Sequence, residues 1–219
     1  MAKATTQIIG VASGKGGVGK TTVSINLAVK LASLGKKVMI FDADLGLANA
    51  QLALGIRAPF NFSHVLSGEK TLSEVIIQGP AGVKLVPGAS GIQRMAALGP
   101  QETAGIIQVF SELEDELDYL IVDVAAGLSD AVMAFMSACQ YRVVVLKNEP
   151  YSIADAYSTI KVMMQEYELD RIFLVPNGVE SQREGQRLYT SIKQWCKIFL
   201  MARLNTCTQS VPTVWSCRQ

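Results

Sequence analysis

Ten residues, Ser13 to Thr22, read SGKGGVGKTT, and within them Gly14-Lys15-Gly16-Gly17-Val18-Gly19-Lys20-Thr21 satisfies the pattern G-x-x-x-x-G-K-[ST]. Glycines at this density let the backbone curl until successive N–H groups point inward. A helix starting directly after the loop adds its positive end to that anion nest. In such a nest Lys20 is expected to reach the β- and γ-phosphates of a nucleotide and the Thr21 hydroxyl to bind Mg²⁺, with Thr22 completing the binding segment. Lys15 is surplus to that scheme. A second ammonium close to the first costs Coulomb energy unless an anion lies between them, so Lys15 is expected to reach a phosphate too, that of a neighbouring subunit.

Carboxylates recur where such a loop would need them. In FDADLGLAN, Asp42 and Asp44 lie two apart, so an extended backbone turns both to the same side. LIVDVAAG places Asp123 at the end of another apolar run, where a carboxylate would hold a Mg²⁺-bound water. Each aspartate alone could equally be a turn or helix cap. Three of them following strands beside one phosphate loop favour a site. LVPNGVES contributes Asn177, which by composition alone is the start of an Asn-Gly turn.

Alternating elements must position these groups. QIIGVA (Gln7 to Ala12), KVMIFD (Lys37 to Asp42), VKLVP (Val83 to Pro87), YLIVD (Tyr119 to Asp123), RVVVL (Arg142 to Leu146) and RIFLVP (Arg171 to Pro176) are apolar without strict alternation. Such runs suit strands covered on both faces. Between them the period becomes helical: Val23, Leu27, Leu31 and Leu34 form one stripe, and Ile153, Ala156, Tyr157, Ile160, Met163, Met164 and Tyr167 another. Strand, helix, strand, repeated, predicts an α/β fold with a mostly parallel sheet between helical layers, and ligands at the carboxyl ends of its strands. The stretch from Leu45 to Gln78 reads as short helices around a Ser-Gly-Glu-Lys turn, and Gly88 to Pro100 as a Gly-rich surface loop. Residues 1–200 are expected to form one domain, and residues 201–219, without helical or strand period, an irregular tail.

At 219 residues with 49% apolar content the chain can bury a substantial core. Twenty Lys+Arg against 19 Asp+Glu leave a formal charge of +1, so no global field points to nucleic acid. Cys139, Cys196, Cys207 and Cys217 have no CxxC pairing, and the single histidine, His64, supplies no metal-ligand spacing. Free thiols in a cytoplasmic protein are the expectation, with His64 structural. The segment MAKATTQIIGV lacks the apolar region of a signal peptide, and no window reaches the ~18 apolar residues of a membrane span.

KGGVGKTT resembles the deviant Walker A motif of the MinD/ParA family, in which an early signature lysine crosses the interface of an ATP-sandwich dimer; Lys15 matches it. The resemblance implies a three-layer P-loop NTPase fold and a homodimer formed in the ATP state. It also implies roles: Asp42 supporting Mg²⁺ through water, Asp44 orienting the attacking water, Asp123 as the Walker B carboxylate and Asn177 reading the adenine ring. Val124 stands where the family usually has Thr. DADLGLANAQLALGI, VKLVPGASGIQRMAALGP, DVAAGLSDAVMAF and EPYSIADAYSTIKVM are similar to the flagellar-number regulators of the FleN/FlhG subgroup, from about Gln7 to Leu188. That implies slow ATP hydrolysis resetting a dimer that restrains a flagellar transcriptional activator and works with a signal-recognition-type GTPase at the cell pole. Asn148 and Tyr151 stand where the subgroup tends to have Asp and Thr.

Leu188, Ile192, Trp195 and Phe199, with Arg183, Arg187, Lys193 and Lys197 nearby, fit either a basic amphipathic helix lying on a membrane or a last helix packed on the sheet. After Phe199 the family's final strand, closing helices and lipid-binding tail have no counterpart. A truncation or frame slip near Lys197 is the expectation, with turnover and membrane attachment weakened by it. Rival readings are an ATP-binding scaffold without turnover, a division-site or DNA-partitioning ATPase, and a metal-cluster reductase, for which Cys139 lies too far beyond Asp123.

Overall fold

The computed structural model describes residues 6–44, 49–88, 105–106, 110 and 117–199, the side chains only as far as Cys196. The expected Gly-rich loop, apart from Gly88, and the expected tail lie outside the described residues. Among the described residues seven strands form one sheet: β1 (Gln7–Ala12), β2 (Val38–Ala43), β3 (Ile77–Gln78), β4 (Lys84–Val86), β5 (Tyr119–Val124), β6 (Tyr141–Leu146) and β7 (Ile172–Pro176), in the order β3-β4-β2-β5-β1-β6-β7. Every pairing is parallel except β3 with β4, where Ile77 faces Leu85 and Gln78 faces Lys84. The six predicted strands are all present. The two-residue β3 is an addition inside the stretch read as short helices, which does hold α2 (Ala50–Ala53), α3 (Phe62–Leu66) and α4 (Leu72–Val75).

Alternation along each strand divides the core into two layers. Met39, Phe41, Leu120, Val122, Val144 and Leu146 pack on one face, against α5 (Asp130–Ala138), α6 (Pro150–Gln165), α7 (Gln182–Phe199) and a cluster of Phe41, Phe62, Phe110 and Phe135 rings. Val38, Ile40, Ile121, Val143 and Val145 pack on the other, beneath α1 (Lys20–Ser33) and α2. Asp42 and Asp123 share the parity of Ile40 and Ile121, so both carboxylates emerge on the α1 side at the carboxyl ends of their strands.

Two helical stripes differ in detail from the sequence pattern. In α1 the buried residues are Lys20, Ser24 and Ala28, one line at i, i+4, i+8 in which Ser24 and Ala28 are the small, fully buried members. Val23, Leu27 and Leu31 flank it half-buried, and Leu34 is 63% exposed. A helix lying close over a sheet needs small side chains at the contact line, which displaces the leucines to its sides. In α6, Ala156, Ile160 and Met163 are buried as predicted, whereas Tyr167 sits beyond the helix end, exposed. Leu188, Ile192 and Cys196 of α7 are buried against the fold, so this part of the helix packs on protein, while Trp195 is 43% exposed. Among the described residues no helix is long and apolar enough to cross a membrane.

Arg142, the second residue of β6, is only 6% exposed. Its guanidinium donates to the carbonyls of Met136 (3.0 Å), Cys139 (2.6 Å) and Asp170 (2.7 Å), closing the end of α5. A cation there meets the negative end of the helix. Cys139 is buried beside it, and desolvation pushes its thiol up to about 12, so it is an inert packing group. His64 caps α3 through its Nδ1, 3.3 Å from the Asn61 amide N–H, and stacks edge-on to Phe60.

Candidate functional site

The segment 13–19 links β1 to α1. Gly17 and Gly19 adopt φ of 79° and 91°, and Gly19 is the residue before the first turn of α1, which has no side-chain cap. The helix's first amides therefore remain available to an anion. Cβ atoms added at Gly16 or Gly17 would meet nothing within 4 Å, so this part of the loop faces open space. Gly14 differs: a Cβ there would come 2.5 Å from the Asp155 carbonyl, because α6 crosses directly against it. The Ser13 hydroxyl donates to the Lys15 carbonyl at 2.9 Å, and the Ser13 carbonyl accepts from the Gly127 amide at 2.9 Å. The loop after β5 is thereby tied to the phosphate loop.

The two lysines have opposite environments. Lys20 is buried, its Nζ 2.8 Å from Asp123 Oδ1, with side chains 8% and 0% exposed. The same oxygen accepts from the Ser24 hydroxyl at 3.0 Å. Asp123 Oδ2 is buried with no hydrogen-bond partner among the described residues. Lys15 is exposed, as are Gly16 and Gly17.

Asp42 and Asp123 are register neighbours on β2 and β5. Asp42 Oδ1 accepts from the Asp44 amide at 3.2 Å, and Oδ2 from the Asn49 and Ala50 amides at 3.0 and 2.9 Å. Its carboxylate thus anchors both sides of the loop between β2 and α2. Burial, reinforced by the charge of Asp123 and opposed by the Ala50 and Asp44 amides, pushes its pKa up to about 7. Asp44, two residues on, is half-buried. Val124, at the end of β5, is fully buried in the apolar layer opposite and offers no polar group.

Asn177 lies just past β7. Its backbone amide donates to the Leu146 carbonyl at 2.8 Å, and its side-chain Nδ2 donates to the Val18 carbonyl in the phosphate loop at 2.8 Å. The fold therefore gathers Gly14 to Thr22, Asp42, Asp123 and Asn177 at one end of the sheet. Sequence reasoning missed Ser24, which shares the face of Lys20 four residues on, and the long-range bond from Asn177.

The AAA domain family model matches residues 6–171. Antiactivator FleN of Pseudomonas aeruginosa is 45% identical over 194 residues, covering 89% of this chain and 69% of that protein. The chain belongs to the MinD/ParA family of P-loop ATPases. Within that family the flagellum site-determining protein YlxH of Helicobacter pylori is 37% identical, with 85% of this chain and 63% of that protein covered. The septum site-determining protein MinD from Pyrococcus horikoshii, solved in complex with Mg-ADP, superposes with a TM-score of 0.71 at 28% identity, covering 84% of this chain and 77% of that one. The chain lies on the flagellar-regulator side of the MinD/ParA family, close to FleN and FlhG.

Proposed function

We infer that this chain is an ATP-dependent dimerisation switch that regulates flagellar number. The observation that carries this reading is the contrast between the two loop lysines: Lys20 is buried and engaged within its own site, while Lys15 stands exposed on the outer rim of the same loop. A cation so placed serves a phosphate belonging to another protomer. In this reading the backbone from Gly14 to Thr22 and the first turn of α1 hold the triphosphate. Lys20 serves its β- and γ-oxygens, and Asn177 faces the adenine. With Nδ2 committed to Val18, the Asn177 Oδ1 is the atom left to accept from the exocyclic amine.

The donor set fits Mg²⁺. Among the described residues no group of three His, Cys, Asp or Glu could hold a metal by itself; an ion here would be bound largely by phosphates and water. Thr21 and the unpartnered Asp123 Oδ2 would hold it, with Asp42 behind them. Bound there, it would neutralise charge on the β- and γ-phosphates. Asp44 orients the attacking water for in-line displacement, and hydrolysis returns the dimer to monomers. The partners that the sequence resemblance implies are a flagellar transcriptional activator and a signal-recognition-type GTPase, met at the pole and at most peripherally on the membrane; an antiactivator and a flagellum site-determining protein among the relatives support a flagellar target.

Phosphate release and sizing in Mg-ATP and Mg-ADP test this for wild type, Asp44→Ala and Lys15→Ala. Turnover lost in Asp44→Ala with the ATP dimer retained, and the dimer lost in Lys15→Ala, support the switch. A dimer indifferent to nucleotide overturns it.

A further inference from the structure

We propose that Asn177 is a positioning residue for the phosphate loop itself: its side-chain amide fixes the Val18–Gly19 peptide in the orientation that turns the following N–H groups toward the triphosphate. This rests on the nucleotide-binding reading above and adds a role that base recognition does not require.

Three observations meet at this peptide. The Asn177 Nδ2 donates to the Val18 carbonyl at 2.8 Å across 159 residues of sequence. An acceptor at that position settles which end of the amide faces the loop, since only the NH₂ group donates. Asn177 is itself held, its backbone N–H donating to Leu146 O at 2.8 Å, so the side chain projects from the firm ends of β6 and β7. Finally, the contact is tight: Gly19 adopts φ of 91°, and a Cβ built on it would run into Asn177 Nδ2.

A trans peptide sets its carbonyl and its N–H on opposite sides. Drawing the Val18 carbonyl onto Asn177 therefore turns the Gly19 N–H the other way, at the turn where the loop passes into α1. Val18 is 3% exposed and packed in the α1-side core, which fixes the other side of the same residue. The glycines on both sides, Gly17 and Gly19, impose no conformation of their own. The Asn177 bond supplies the restraint the glycines lack. Binding of a base at β7 and binding of phosphates at the loop then share one side chain, so the loop shape is coupled to the nucleotide as a whole.

The test separates phosphate from base. Inorganic tripolyphosphate and ATP, each with Mg²⁺, are titrated as competitors of a fluorescent ATP analogue on wild type, Asn177→Ala and Asn177→Asp, with thermal unfolding of each variant. Loss of one positioning hydrogen bond is expected to weaken tripolyphosphate roughly three- to tenfold in Asn177→Ala at unchanged melting temperature. Asn177→Asp, which sets an acceptor against the Val18 carbonyl, is expected to be at least as weak. Unchanged tripolyphosphate inhibition in both variants, with loss confined to ATP, would show a base-reading residue only and overturn the inference. Parallel falls in affinity and melting temperature would overturn it in favour of a general packing role. Failure of wild type to be displaced by either competitor would instead remove the nucleotide-binding reading.

Discussion

Deleting the ammonium of Lys20 while keeping its stem, as in Lys20→Met, exposes the energetics of the site. The ion pair with Asp123 is 2.8 Å long and its side chains are 8% and 0% exposed. At an effective dielectric of about 20 the attraction at that separation is about 6 kcal/mol. Withdrawing each ion from water costs several kcal/mol, so the intact pair contributes little net stability. Removing one partner is another matter. Asp123 then keeps a buried charge with the Ser24 hydroxyl, 3.0 Å away, and with Asp42 as its register neighbour. Lys20→Met is expected to destabilise the protein by about 3–5 kcal/mol at pH 8. Lys20→Met combined with Asp123→Leu removes both charges and should lie within about 1 kcal/mol of wild type. Urea unfolding without added nucleotide, followed by circular dichroism at pH 8 for the full double-mutant cycle, measures each term. A cost below about 1 kcal/mol for Lys20→Met at pH 8, or a double variant as unstable as the single, would refute a buried, mutually dependent pair.

Three further outcomes follow from the same geometry. Asp42 has a folded pKa near 7 against 3.8 for the free group, so between those values the native state holds a proton the unfolded state has lost. Stability without nucleotide should therefore fall as pH rises from about 4 to about 7, by at most about 4 kcal/mol, and Asp42→Asn should flatten that slope in unfolding titrations. Gly14→Ala brings a Cβ to 2.5 Å from the Asp155 carbonyl, and two backbones cannot both yield. A loss of about 1–3 kcal/mol in chemical unfolding, with weaker ATP binding by calorimetry, is expected. Ile192→Ala, at a fully buried site in α7, should cost about 2–4 kcal/mol. Trp195→Ala, 43% exposed on the same helix, should cost less than about 1 kcal/mol; the reverse ranking would contradict the packing of α7.

Much of the candidate site was legible because its parts are local. The phosphate loop is a contiguous run of residues, and Asp42 and Asp123 end apolar strands whose length and composition announce burial. What stayed hidden depends on distance or on packing. The Asn177 bond to Val18 spans 159 residues, and an Asn-Gly pair looks the same in any turn. The antiparallel β3 is two residues long, too short to carry a period. In α1 the leucines form the visible stripe, yet the sheet is met by Ser24 and Ala28, because close approach selects small side chains that a hydrophobic pattern undervalues, and by Lys20, which is drawn in by Asp123. Arg142 read only as the first residue of the run RVVVL, and only the fold shows three carbonyls converging on it.

Sedimentation velocity of Asp44→Ala in Mg-ATP, compared with the same variant carrying Lys15→Ala, bears most directly on the role of the exposed lysine. The account predicts a dimer for Asp44→Ala in ATP, a monomer in ADP, and a monomer for the double variant in both. A double variant that still dimerises with ATP would contradict it.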